Sequence, residues 1–263
     1  MLRMTSYALA FTALLGATSA LAQTAQERGF AIAEKAADHD TGYGTSRVML
    51  TMTLTTPAGQ STTRELRIDT FERPDRDEGD MSVTVFFSPR DIEGTALLSH
   101  AEILEPDDQW LWLPALNRVR RISSANKSGP FVGSEFAFED LTAGELGKFD
   151  YTYLETTTVG GMEMDVLECL PNYDRSGYSK IHCFHDTDIG QIRQLEFFDR
   201  GGQLLKTLTF EEYRQYDGRI WRAHRQIMVN HLTGRQTVLE FGDFEFGIDL
   251  DERDFEPEAL ELL

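Results

Sequence analysis

Apolar and polar residues alternate with period two along most of this chain. Val48, Leu50, Met52 and Leu54 are set against Arg47, Thr51 and Thr53; Leu66 and Ile68 against Glu65, Arg67 and Asp69; and Met81, Val83, Val85 and Phe87 against Ser82 and Thr84. Successive side chains on a strand point to opposite faces, so each run predicts a strand with one apolar face. Gly59 marks the first turn, and similar runs recur near 95–100, 109–113, 117–122, 149–158, 163–170, 178–185, 191–199, 203–213, 219–229 and 236–246. Strands at this spacing predict a sandwich or a barrel. A single sheet with one apolar face must close or be covered. Helical cover is scarce: an amphipathic helix over about 26–38, and the segment Ser123 to Leu146, where Phe131, Phe136 and Phe138 lie among Gly129, Gly133 and Gly144. The expectation is a mainly β fold, a half-open antiparallel β-barrel with a short helical lid. With no linker or repeat, residues 23–263 form one domain.

The first 22 residues change where this domain is expected to work. Arg3, an apolar run from Tyr7 to Leu15, and Ala20-Leu21-Ala22 read as a cleaved signal peptide over 1–22. The apolar stretch is too short and too interrupted for a membrane span. Export to the periplasm follows as the expectation, and no cysteine near residue 23 marks a lipoprotein. The net charge of −19 over 263 residues argues against a nucleic-acid partner, which needs clustered Lys and Arg. Many acids lie between Asp243 and Glu261, opposed only by Arg253, and read as a solvated acidic tail.

Cys169 and Cys183 flank a hairpin-like segment around Asn172 to Gly177. Placed opposite each other across that turn in an oxidising compartment, they are expected to form a disulfide worth about 3 kcal/mol. No C-x-x-C redox motif is present.

A search for catalysis finds no G-x-S-x-G elbow, no H-E-x-x-H and no glycine-rich phosphate loop. His182 and His185 are three apart on a strand and so point to opposite faces, which does not suit a shared metal. Carboxylate pairs such as Glu139 and Asp140, or Glu211 and Glu212, are uninformative in so acidic a chain. The expectation is a protein that is not an enzyme and uses no cofactor or metal.

The most informative stretch runs from Phe87-Ser88-Pro89-Arg90-Asp91-Ile92-Glu93-Gly94 through Trp110-Leu111-Trp112-Leu113-Pro114 and Asn117-Arg118-Val119-Arg120-Arg121 to Phe131-Val132-Gly133-Ser134-Glu135-Phe136-Ala137-Phe138-Glu139-Asp140-Leu141. With Leu205 to Leu208, Asp217-Gly218 and Thr233-Gly234, it resembles the periplasmic outer-membrane lipoprotein-sorting protein family, relatives of the carrier LolA that often accompany resistance-nodulation-division exporters. The resemblance implies a hollow that takes up acyl chains of lipoproteins or other lipids, with transient contacts to an inner-membrane transporter and an outer-membrane acceptor. On this reading Met52, Leu54, Val85, Phe87, Trp110 and Trp112 line the hollow, and Phe136 and Phe138 close it. Arg118, Arg120, Arg121 and Lys127 form a basic cluster placed to meet an anionic headgroup or an acidic partner. A lipid sensor or adaptor that binds the same ligands is the second reading, and a lipid hydrolase a distant third.

Overall fold

The computed structural model describes residues 23–74, 78–123, 126–142 and 144–262. The expected signal peptide lies outside the described residues. The chain opens with helix α1 (Ala25–Asp38), started by a capping box in which Thr24 and Glu27 exchange side-chain and backbone hydrogen bonds. Fourteen strands follow: β1 (Thr45–Thr55), β2 (Ser61–Phe71), β3 (Glu78–Ser88), β4 (Ala96–Glu102), β5 (Asp108–Leu113), β6 (Arg118–Arg121), β7 (Phe149–Val159), β8 (Met162–Pro171), β9 (Tyr178–Asp186), β10 (Ile192–Asp199), β11 (Leu204–Tyr216), β12 (Ile220–Asn230), β13 (Gln236–Phe241) and β14 (Glu245–Phe246).

All belong to one antiparallel sheet in the order β6-β5-β4-β3-β2-β1-β13-β12-β11-β10-β9-β8-β7, with β14 paired to β1. The sheet does not close: β6 and β7 are its two edges. They are also consecutive in sequence, so the connection between them passes from one edge of the open sheet to the other. That connection is the lid. Its described residues carry the short helices of the expected lid as 3-10 helices, Phe131–Gly133, Phe138–Thr142 and Leu146–Lys148. Its glycines and Pro130 disfavour a continuous helix.

Helix α1 packs on the other edge, against β7. Gly29 is what allows the close approach, since a Cβ there would lie 2.7 Å from the backbone nitrogen of Tyr153. The main core is the concave face of the sheet: Leu50, Met52, Leu66, Phe86, Leu97, Leu167, Ile181, Phe197, Leu208, Met228 and Leu239, together with Ala33 of α1 and Phe131 and Phe136 of the lid.

A second apolar cluster lies on the convex face and corrects two expectations. Register sets it there: Leu66 pairs with Phe86 and Ile68 with Thr84, so the inward residues of β3 are 82, 84 and 86, whereas Met81, Val83 and Val85 point outward. They pack with Leu98 and Trp112, and with Phe255 and Leu260 from the C-terminal segment. The tail is therefore not simply solvated. Its acids face water, while Phe255 and Leu260 are each 1% exposed, and His100 Nε2 lies 2.7 Å from the Phe255 carbonyl.

The disulfide between Cys169 and Cys183 is present, with Cα atoms 6.7 Å apart. The two residues are diagonal rather than opposite, because Cys169 pairs with Ile181 and Cys183 with Leu167.

Candidate functional site

The mouth of the half-barrel is where the lid meets the concave face. Phe131 and Phe136 insert into the hollow, where Phe131 lies 5.6 Å from the ring of Phe86 and 5.7 Å from that of Phe138. In the closed protein the lid's own aromatic rings lie inside the hollow. Phe136 and Phe138 thus belong to the lid as expected, with Phe136 buried and Phe138 packed against the core cluster. Met52 is buried in the concave core and Leu54 packs against it.

The remaining four lining candidates do not face this space. Val85 and Trp112 are buried on the convex face beneath the tail, and Trp110 packs against the same cluster. Their alternation was read correctly but their face was not, because the segment that covers them lies more than a hundred residues later. Phe87 is 42% exposed, with the Arg67 guanidinium 5.7 Å from its ring centroid.

Three sets of polar contacts hold the lid down. At its tip, Arg64 Nη1 donates to the Val132 carbonyl at 2.5 Å, and Arg235 Nη2 to the Gly133 carbonyl at 3.3 Å. Val132 there has φ +46°, a left-handed conformation that is costly for a β-branched residue. In the middle, Asp140 accepts from Lys206 at 2.5 Å and from the Tyr178 hydroxyl at 2.6 Å. Glu139 accepts from Gly177 N at 2.9 Å and Ser176 Oγ at 3.0 Å, and burial pushes its carboxyl up. At its base, Lys148 meets Asp107 at 2.5 Å, and Thr142 donates to the same carboxylate at 2.8 Å.

Glu139 and Asp140, uninformative as a sequence pair, are therefore the lid's central bolts. Lys127 also leaves the expected basic cluster. It is buried against Asp107, and burial lowers the pKa of its ammonium. Arg118, Arg120 and Arg121 remain exposed on edge strand β6. Arg121 pairs with Asp108 and sits 6.0 Å from the Trp110 ring, while Arg120 is of the opposite parity, paired in register with Leu111.

A cleft of 490 Å³ opens beside the lid, between Phe136 and Glu139 on one side and Leu205, Lys206 and Arg235 on the other. Its walls mix charged and apolar groups.

A protein family described as "-like: Uncharacterized protein" matches residues 78–262. A solved domain described as an outer membrane lipoprotein-sorting protein, from Vibrio parahaemolyticus, is 43% identical over 90% of this chain and 99% of its own, with a TM-score of 0.86. The chain belongs to the outer-membrane lipoprotein-sorting protein family. Another solved structure of this fold, a DUF1329 family protein from Desulfovibrio piger, is 25% identical over 90% of this chain and 99% of its own at a TM-score of 0.85. A LolA superfamily protein from Nitrosomonas europaea shares the fold at 20% identity and a TM-score of 0.71, over 88% of this chain and 98% of that one. No curated protein matches.

The lipoprotein-sorting architecture of half-barrel, edge-packed helix and lid is thus the frame for every residue above. Within it, the groups that sequence reasoning missed are Arg64, Lys206 and Arg235. Each lies in an ordinary strand or turn pattern, and only the crossing of the lid brings them together.

Proposed function

We propose that this protein is a periplasmic carrier that takes the acyl chains of lipoproteins or other lipids beneath its lid and passes them between an inner-membrane transporter and an outer-membrane acceptor. The reading is carried by the insertion of Phe131 and Phe136 of the lid into the concave apolar face of an open sheet, in a family of lipoprotein-sorting proteins. The lid's rings occupy the space as a removable stand-in for hydrocarbon.

Magnitudes favour exchange. Exposing two buried phenylalanines costs roughly 3–6 kcal/mol, whereas sheltering a chain of about 16 carbons gains roughly 12 kcal/mol. The difference, reduced further by the polar latches that must open with the lid, leaves a net affinity small enough for release to an acceptor that also buries the chain. Met52 and Met228 line the floor, and thioethers adapt to chains of different shape. The exposed arginines of β6 supply a basic surface in an otherwise acidic protein, suited to an anionic membrane or an acidic partner.

The test is transfer of a fluorescent acyl lipid from donor to acceptor vesicles by the mature protein. Protein-dependent transfer that falls on charge reversal at Arg118 and Arg120 is expected. Absence of any lipid uptake would overturn the carrier, and uptake without transfer would favour the sensor or adaptor.

A further inference from the structure

Among the described residues, the acceptors of the Arg64 and Arg235 side chains at the mouth of the hollow all belong to the lid. Arg64 donates to the Val132 carbonyl; Arg235 donates to the Gly133 carbonyl and pairs with Glu135 at 3.1 Å. Both guanidiniums border Gly133: a Cβ there would lie 4.0 Å from Arg64 Nη2, and the carbonyl of the same residue receives Arg235.

Arg64 is the less satisfied of the two. Its Nε is buried with no hydrogen-bond partner, it makes no ion pair among the described residues, and burial lowers its pKa with only Asp91 acting against this through space. A desolvated guanidinium lacking a counter-ion is costly unless something anionic completes it. Lifting residues 132–135 removes the acceptors that both side chains use among the described residues.

We propose that Arg64 and Arg235 form the binding site for an anionic oxygen headgroup, carboxylate or phosphate, on the amphiphile whose chain enters the hollow. In the closed protein the Val132 and Gly133 carbonyls and the Glu135 carboxylate stand in for that headgroup, as Phe131 and Phe136 stand in for the chain. The guanidinium fork matches such groups geometrically. The site rests on the carrier reading and adds to it a selectivity: anionic amphiphiles over neutral ones of equal chain.

The experiment compares binding of cis-parinaric acid and its methyl ester to the mature wild-type protein and to Arg64→Met, Arg64→Lys and Arg235→Met. Lysophosphatidic acid and monoacylglycerol, as competitors, repeat the comparison for phosphate. Wild type is expected to favour the anionic member of at least one pair by roughly tenfold, about the effect of a charged hydrogen bond. Either methionine variant should reduce that ratio, with the neutral probe held as well as before or better because the lid is less firmly latched. Arg64→Lys should recover part of it. If Arg64→Met does not fold, Arg235→Met, at a half-exposed position, carries the test. Equal binding of charged and neutral members in both pairs, or equal weakening of both by the variants, overturns the headgroup site and leaves the carrier standing. Wild type binding no probe overturns both.

Discussion

Lys206 Nζ lies 2.5 Å from Asp140 Oδ2, with side chains only 4% and 3% exposed, which fastens the lid to β11 through a buried ion pair. The ammonium also donates to the Glu135 carbonyl at 3.1 Å and sits 5.0 Å from the Phe197 ring. Removing one partner strands the other as an uncompensated charge. Lys206→Met is expected to lower stability by about 3–5 kcal/mol in urea unfolding. Adding Asp140→Leu should return part of the loss, and a single variant as stable as wild type would show that the pair does not hold the lid.

The tail makes a second prediction. Phe255 is 1% exposed and 5.7 Å from the Phe71 ring, so Phe255→Ala should cost about 3–5 kcal/mol. Ending the chain after Asp251 should uncover Trp110 and Trp112, shifting tryptophan emission to the red. A solvated tail would leave both readouts unchanged.

Stability against pH follows from two groups of opposite sign, half-buried Asp80 and buried His185. Burial, then Glu145 beside it, pushes the Asp80 carboxyl up to about 7, whereas an unfolded aspartate titrates near 4. Its contribution is complete below about pH 4 and is lost as pH rises through 7. Burial lowers His185 to about 4, so its contribution is complete above about pH 6.5 and is lost as pH falls toward 4. Asp80→Asn is expected to raise stability at pH 7.5 by about 2 kcal/mol and to bring out a steady fall on acidification from 6.5 to 4. His185→Gln should remove that acid limb. Denaturant midpoints across pH 4–8 check both, and parallel profiles for all three proteins would refute the assignment.

Glu212 is an exposed residue at φ +55° within β11, where the register with β12 runs unbroken from Glu211 opposite Arg225 to Tyr213 opposite Ala223. Glycine takes this left-handed conformation without the Cβ penalty. Glu212→Gly is expected to stabilise by roughly 0.5–1 kcal/mol, read as a raised midpoint; a lowered one would place the left-handed conformation in error.

Period-two alternation placed nearly every strand, because burial of one face of a sheet imposes it wherever the sheet sits. The same rule could not say which face was concave. Leu50 to Leu54 and Met81 to Val85 look alike as sequence, yet the first set faces the lid and the second faces the tail. For the same reason Trp110 and Trp112 were legible as a buried pair but not as a pair beneath Phe255.

The polar half of the site was hidden differently. Asp140 and Lys206 lie in stretches that carry the family resemblance, yet nothing local to them or to Arg64 marks a latch, since a buried ion pair exists only when distant segments meet.

The chain's own alternation, cysteines and glycine-broken lid segment determined a mainly β half-barrel with a cross-strand disulfide, because those features arise from contacts within a few residues or one hairpin. Only the tertiary structure decided which face is the interior, what fills it and which cations hold the lid. Each of those depends on pairing β1 with β13 and on carrying the β6–β7 connection across the open edge, and period two does not encode either.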